Sequence, residues 1–280
     1  MESAGSEHAG PENARPENAG PVEIAPGWTR WEGPAGPIAV HEPTVTGPPR
    51  SSGGVVVLSH GFPIDKGSPE LIPAGLVSLS DRLSSDSGWR VIACCLRGVG
   101  GSEGSFSLGG WLEDLEAVVE TATGDTASEV VPEGGAWLVG TGITGALAIC
   151  LAARDNRVRG VATLASPATF SDWAANPAAV ATYARDVGVM SSAKAPDLAT
   201  WTRDFATILP ADAAKRLSGR PVLVLHGTDD DVVPADDARA IANEIGESAE
   251  LRILAGAGHR LNSDPRAVAL LLGWLERHRT

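Results

Sequence analysis

The chain has 280 residues, of which 43% are hydrophobic and 20% are charged, a composition typical of one globular domain with a sizeable core. Its formal net charge is -13, and no cluster of lysine or arginine interrupts that balance, so we expect no binding to nucleic acid or to an anionic membrane. No run approaches the roughly 18 apolar residues of a membrane span, and no signal-peptide pattern opens the chain, so the default expectation is a cytoplasmic protein.

The three cysteines form no recognisable metal or disulfide pattern. Cys94 and Cys95 are adjacent and Cys150 stands alone. Adjacent cysteines do not easily chelate one zinc ion, and an odd number leaves no complete disulfide set. We therefore expect reduced thiols in a core, and no sequence pattern indicates a bound metal or another cofactor.

Residues 1–25 differ in composition from the rest of the chain. They are mostly Pro, Glu, Asn, Ala and Gly, with Pro-Glu-Asn-Ala at Pro11 and again at Pro16. Such a segment offers almost no large apolar side chain to a core. We predict a disordered acidic leader over residues 1–25 and a folded domain over residues 26–280.

The folded part alternates strand and helix patterns. Turn-forming residues 33–36 between Trp28 and His41 predict an antiparallel hairpin at the edge of a sheet. Continuous apolar runs then predict parallel strands at Val55–Leu58, Val91–Cys94, Trp137–Val139, Gly160–Leu164, Val222–Leu225 and Leu251–Leu254. Helices are predicted at Pro69–Leu83, at Leu108–Ala122, from about Gly142 onward, and in a closing segment with Val268, Leu271, Leu272 and Leu275 on one face. This alternation indicates the α/β class.

The alternation breaks once, over residues 168–220, where no strand pattern occurs. We predict a small helical cap inserted there, above the carboxyl ends of the strands. Its aromatic residues Trp173, Trp201 and Phe205 are expected to line a pocket. The alternative is that they form a small core within the cap itself.

Four loop motifs follow predicted strands, and together they resemble the α/β-hydrolase superfamily over about residues 37–278. They are residues 59–63 (Ser-His-Gly-Phe-Pro), 96–104 (Leu-Arg-Gly-Val-Gly-Gly-Ser-Glu-Gly), 226–234 (His-Gly-Thr-Asp-Asp-Asp-Val-Val-Pro) and 256–260 (Gly-Ala-Gly-His-Arg). The resemblance implies an α/β-hydrolase fold, with a mostly parallel sheet, helices on both faces and a small helical cap. It also implies that Asp230 is the triad acid, that His259 is the triad histidine, and that the backbone amides of Phe62 and Ile143 form the oxyanion hole.

The nucleophile motif of that superfamily, Gly-x-Ser-x-Gly, is altered. The aligned residues 140–144 read Gly-Thr-Gly-Ile-Thr, so Gly142 stands where the family has serine. Glycine has no atom that can attack a carbonyl, although it relieves the backbone strain that this turn imposes on a residue with a Cβ. Ordinary serine-hydrolase chemistry is therefore not expected.

Other side chains are weaker candidates for a nucleophile, namely Thr141, Thr144, Ser102, Ser166, Cys94 and Cys95. Thr144 is expected to pack into the first helical turn, the serines to bond backbone groups, and the cysteines to fill the core. We interpret His60 and His226 as loop-shaping residues. Asp229 and Asp231, beside the predicted triad acid, are interpreted as solvated acids and not as a cation site.

Three functions remain open from the sequence. The first is a pseudohydrolase that binds a small, partly apolar ligand or a protein partner. The second is a hydrolase or lyase that uses the His259–Asp230 dyad and the oxyanion hole without a covalent intermediate. The third is an esterase or amidase with a displaced nucleophile. The sequence does not determine the oligomeric state.

Overall fold

The computed structural model describes residues 24–44, 54–66, 68–124, 134–191 and 195–279. Most of the predicted leader, residues 1–23, lies outside the described residues, so that prediction is untested. The described parts contain eight strands that form one sheet, interleaved with helices.

The strands are arranged in the order β1-β2-β4-β3-β5-β6-β7-β8. The hairpin of β1 and β2 is present as predicted, with Arg30 opposite Ala39. β2 also runs antiparallel to β4, and the remaining neighbours are parallel. The strand bounds are Thr29–Trp31, Ile38–His41, Val55–Ser59, Arg90–Cys94, Ala136–Thr141, Val158–Leu164, Val222–Gly227 and Ala249–Leu254, in chain order.

The helices cover both faces of the sheet, which confirms the predicted layers. α1 contacts α9 on one face, while α2, α3, α7 and α8 form a contacting row on the other. Their large apolar side chains, such as Trp111 on α2 and Trp274 on α9, are fully buried. The bounds of α1 to α9 are Ser68–Ser87, Leu108–Thr123, Ile143–Ala152, Ser171–Ala175, Pro177–Asp186, Leu198–Thr207, Pro210–Ala214, Ala235–Ile245 and Pro265–Arg277.

The segment between β6 and β7 contains helices and, in its described residues, no strand, as the sequence predicts for a cap. α4, α5 and α6 contact one another, and α6 also rests on α2. α7 instead packs against α3 and α8. The carboxyl-terminal part of residues 168–220 thus belongs to the layer that covers the sheet.

The parallel register brings several loops to one edge of the sheet. Ser59 at the end of β3 lies beside Gly140 near the end of β5, and Gly227 at the end of β7 lies beside Leu254 at the end of β8. Loops that leave the carboxyl ends of parallel strands meet in a shared crevice. None of the helices in the described residues is both long and apolar enough to cross a membrane.

Candidate active site

Gly142 joins β5 to α3 through a backbone conformation that favours glycine. Its φ is 55° and its ψ is -122°, and its amide donates to the carbonyl of Leu164 at 2.7 Å. A Cβ built on Gly142 would lie 3.7 Å from Nε2 of His259, 3.8 Å from Cα of Gly61 and 3.9 Å from the carbonyl oxygen of Ala165. These are ordinary van der Waals separations. The turn therefore directs the side-chain position of residue 142 toward His259 and leaves it open.

A second unusual backbone conformation borders the same position. Ala165, directly after β6, has a φ of 54° and is the one non-glycine residue with a positive φ among the described residues. Such a conformation costs on the order of 1–3 kcal/mol and persists only where its surroundings enforce it. Its amide donates to the carbonyl of Leu225 at 2.9 Å, which fixes this strained residue to the end of β7.

Hydrogen bonds to backbone groups hold the turn at Gly142 in place. The hydroxyl of Thr144 donates to the carbonyl of His60 at 2.6 Å and lies 3.1 Å from the carbonyl of Thr141. The His60 ring lies 2.8 Å from the carbonyl of Gly61 through Nδ1 and 3.0 Å from the amide of Leu96 through Nε2. Burial lowers the pKa of His60 from 6.5 to about 4, so the ring is neutral, donating from Nδ1 and accepting at Nε2. Both Thr144 and His60 have the structural places that the sequence predicts.

Asp230 and His259 are brought together across the loops that follow β7 and β8. Nδ1 of His259 lies 3.1 Å from Oδ1 and 3.0 Å from Oδ2 of Asp230. The Asp230 side chain is 0% exposed and that of His259 is 11% exposed. A carboxylate only accepts, so Nδ1 carries a proton, and in the neutral form of the ring Nε2 has the lone pair. This is the pairing that positions an imidazole for proton transfer.

His226 completes the surroundings of the acid, and sequence reasoning missed it. Its Nε2 lies 3.1 Å from Oδ2 of Asp230 and 2.9 Å from the carbonyl of Val233. The amides of Val232 and Val233 each donate to Oδ1 of Asp230 at 2.9 Å. The interpretation of His226 as a loop-shaping residue alone is thus incomplete, because its ring also lies against a buried carboxylate that accepts from two amides and from the His259 imidazole. The signal was available: a buried polar residue that ends an apolar strand needs a partner, and the nearest acids lie in its own loop.

A cavity of about 610 Å³ lies between the cap and this edge of the sheet. Gly142 and His259 line it, as do Phe62 and Ile143, whose amides the sequence suggested as oxyanion donors. Ile143 is the first residue of α3, so its amide has no acceptor within the helix. The rest of the cavity lining is mostly apolar with a few polar groups, a composition typical of small-molecule sites.

The three cap aromatics predicted to line a pocket divide into two groups. Trp173 lines the cavity. Trp201 and Phe205 do not line it and are buried, at 4% and 1% exposure, so the prediction is wrong for these two. Their rings pack edge to face against Phe106 and Trp173, at centroid separations of 5.4 Å in each case. They anchor the cap to the body of the domain, which is closer to the alternative of a core beneath the cap.

Comparison with known proteins places this fold in a family. The model of the Alpha/beta hydrolase family matches residues 56–270. The chain belongs to this family. None of the curated proteins compared with the chain matches it.

Solved structures agree on the α/β-hydrolase fold. A thermophilic esterase from Thermogutta terrifontis is 21% identical with a TM-score of 0.59, over 90% of this chain and 99% of that one. The alpha/beta hydrolase domain-containing protein 10 from mouse is 17% identical with a TM-score of 0.61, over 89% and 97%. An alpha-beta serine hydrolase homologue from Coxiella burnetii is 19% identical with a TM-score of 0.54, over 92% and 99%.

None of the hydroxyls considered as substitute nucleophiles in this α/β-hydrolase is hydrogen-bonded to His259 within the described residues. Ser102 donates to the carbonyl of Cys95 and accepts from the amide of Ala39 at 2.8 Å. Ser166 is buried against Gly145 on α3, since a Cβ at Gly145 would lie 2.1 Å from its hydroxyl oxygen. Thr141 lines a second, smaller cavity that His259 also lines, but no hydrogen bond joins the two side chains. Within the described chain, Nε2 of His259 forms no hydrogen bond to any side chain.

The thiols have no reactive character. All three cysteines are free, as predicted, and Cys94 and Cys95 are fully buried. Burial raises the pKa of Cys94 to about 12, that of Cys150 to about 12, and that of Cys95 well above its usual value. A thiol with so high a pKa supplies little thiolate at neutral pH. Among the residues that the structure describes, no group of three or more His, Cys, Asp or Glu side chains is placed to hold a metal ion.

Proposed function

We propose that this α/β-hydrolase binds a small, partly apolar ligand beneath its cap and cannot form an acyl-enzyme, because Gly142 occupies the position of the nucleophile. The observation that supports this most is the 3.7 Å between a Cβ at Gly142 and Nε2 of His259. A serine hydroxyl attached to that Cβ reaches hydrogen-bond distance of the imidazole by rotation about one bond. Glycine leaves the same geometry without an attacking atom.

The cavity supports a binding role. It has a volume of about 610 Å³, within the range of sites for drug-sized molecules. Phe62 is part of both the cavity and the aromatic contacts to the cap, with its ring 5.5 Å from that of Trp173 and 5.9 Å from that of Tyr183. The hydroxyl of Tyr183 donates to the carbonyl of Ile64 at 2.7 Å. These contacts fix the cap over the cavity, so the site is largely preformed and needs little ordering to bind.

The decisive experiment is Gly142→Ser, tested with a fluorophosphonate probe and with p-nitrophenyl butyrate. We expect no labelling of the wild type, labelling of the variant at residue 142, and a rise in ester turnover of at least ~10³-fold, since removing such a serine costs about 10⁶-fold in a working hydrolase. Gly142→Ala is the matched control, because it adds the Cβ without the hydroxyl and should gain nothing. Labelling of a serine or threonine in the wild type would overturn the proposal in favour of a displaced nucleophile.

A second candidate function is non-covalent catalysis, and the preserved dyad favours it. With Nδ1 bonded to a buried carboxylate at 3.0 Å, Nε2 of His259 is a general base that faces an open position large enough for a water molecule. The amides of Phe62 and Ile143 would then stabilise developing negative charge. Turnover of an ester by the wild type without probe labelling, abolished in His259→Ala, would establish this function in place of simple binding.

A further inference from the structure

The cavity beneath the cap carries negative charge without a matching cation. Two carboxylates line it, Asp172 from the first turn of α4 and Asp237 from the first turn of α8. No lysine or arginine is among its lining residues in the described chain. His259 is the one lining group that can take up a positive charge, and its Nδ1 is already bonded to Asp230.

Asp172 is exposed and Asp237 is half-buried, and both differ from Asp236 in their partners. Asp236, adjacent to Asp237 on α8, forms an ion pair with Arg239 at 2.7 Å. Asp237 instead accepts the amide of Ala168 through Oδ2 at 3.0 Å, and within the described residues neither it nor Asp172 forms an ion pair. The hydrogen bond from the Ala168 amide satisfies one oxygen of Asp237 and fixes the carboxylate at the point where the cap follows β6.

Most of the remaining wall of the cavity is aromatic or aliphatic, with a few neutral polar groups. Phe62, Trp173 and Phe170 contribute rings, and Ile143 and Val180 contribute aliphatic groups. An anionic ligand would lose its hydration in this cavity and meet two carboxylates. An apolar ligand with one ammonium group would cover the rings and place its charge against one of the carboxylates, with additional attraction from the ring faces.

We infer that the ligand of this cavity is an apolar molecule bearing a cationic amine, selected by Asp172 and Asp237 against carboxylates and phosphates. This inference rests on the proposed function, because it names the ligand class of the same cavity. It adds a sign of charge to the partly apolar character that the lining alone indicates.

Phenylpropylamine, phenylpropanol and phenylbutyrate test the inference by isothermal titration, because each carries its polar group on the same phenylpropyl body and the three differ in charge at neutral pH. We expect the amine to bind at least ~10-fold more tightly than the butyrate, with the alcohol between them. The preference should shrink as salt is added. In the double variant Asp172→Asn/Asp237→Asn, the preference for the amine over the butyrate should fall to within ~3-fold. Asparagine at 237 can still accept the Ala168 amide through its side-chain oxygen, so the cap junction is retained.

Asp236→Asn is the matched control, since it removes one negative charge from the adjacent position outside the cavity and should leave the preference unchanged. If the butyrate or the alcohol binds the wild type as tightly as the amine, the inference fails while the proposed binding function stands. If the double variant keeps the full preference, the two carboxylates are not its source and the inference fails. If none of the three binds, both the inference and the proposed function fail.

Discussion

The two halves of the site are held together by different kinds of atoms. The elbow half, formed by His60, Gly61, Thr141, Gly142 and Thr144, is fixed by bonds that end on backbone carbonyls and amides. The acid half, formed by His226, Asp230, Val233 and His259, converges on the carboxylate of one side chain. The hydrogen bonds of the elbow half therefore do not involve the side chain of residue 142, whereas those of the acid half depend on Asp230.

Removal of that carboxylate should give the largest loss of stability. Asp230→Ala leaves two backbone amides and the His259 imidazole without their acceptor in a site where the side chain is 0% exposed. Breaking a buried network in this way costs about 3–5 kcal/mol of the free energy of unfolding, to be measured by urea denaturation. The matched control is Asp231→Ala, an exposed neighbour that should change the free energy by less than about 0.5 kcal/mol. Equal losses in the two variants would show that the acid half is not organised by Asp230.

The contribution of the elbow half to stability should depend on pH, because this half contains the buried, uncharged His60. The pKa of His60 is about 4 in the folded protein and 6.5 without burial. Below pH 6.5 His60 is protonated in the unfolded chain but stays neutral in the folded protein. The free energy of unfolding therefore decreases as the pH falls from 6.5 to about 4. The total is about 3 kcal/mol at about 1.4 kcal/mol per pH unit.

The measurement is the difference in unfolding free energy between the wild type and His60→Asn at several pH values, since other titrating groups cancel in that difference. The advantage of the wild type should decline by about 3 kcal/mol across this interval. A difference that stays constant from pH 7 to pH 4 would contradict the burial of an uncharged His60.

The sheet was predictable from local apolar patterns, and the pairing of His259 with Asp230 from the resemblance of their loops to those of the α/β-hydrolase superfamily. Short continuous apolar runs such as Val222–Leu225 are typical of strands covered on both faces, and the observed strand Val222–Gly227 extends that run by two residues. His259 and Asp230 lie in loops that leave the ends of neighbouring strands, so the parallel order alone brings them to one edge.

The cap could not be predicted to the same depth, because its orientation is set by contacts between distant segments. Trp201 and Phe205 are four residues apart and so share one face of α6, which signals a buried stripe. That stripe meets Phe106 and Trp173, and the choice between this packing and the cavity depends on how the rings fit. The sequence thus predicts which face of α6 is buried, but it does not determine which residues pack against that face.

Gly142→Ala should give the smallest effect and sharpens the contrast between the two halves. Its Cβ meets no atom closer than 3.7 Å outside the adjoining residues, so the cost is the backbone strain of a φ of 55° and a ψ of -122°, about 1–3 kcal/mol. Gly75→Ala is the matched control, because Gly75 lies exposed within α1 with no atom within 4 Å of its Cβ position. That change should stabilise the protein by up to about 1 kcal/mol through helix propensity. If Gly142→Ala is as neutral or stabilising as Gly75→Ala, residue 142 is not held in the strained turn, and the position facing His259 belongs to some other residue.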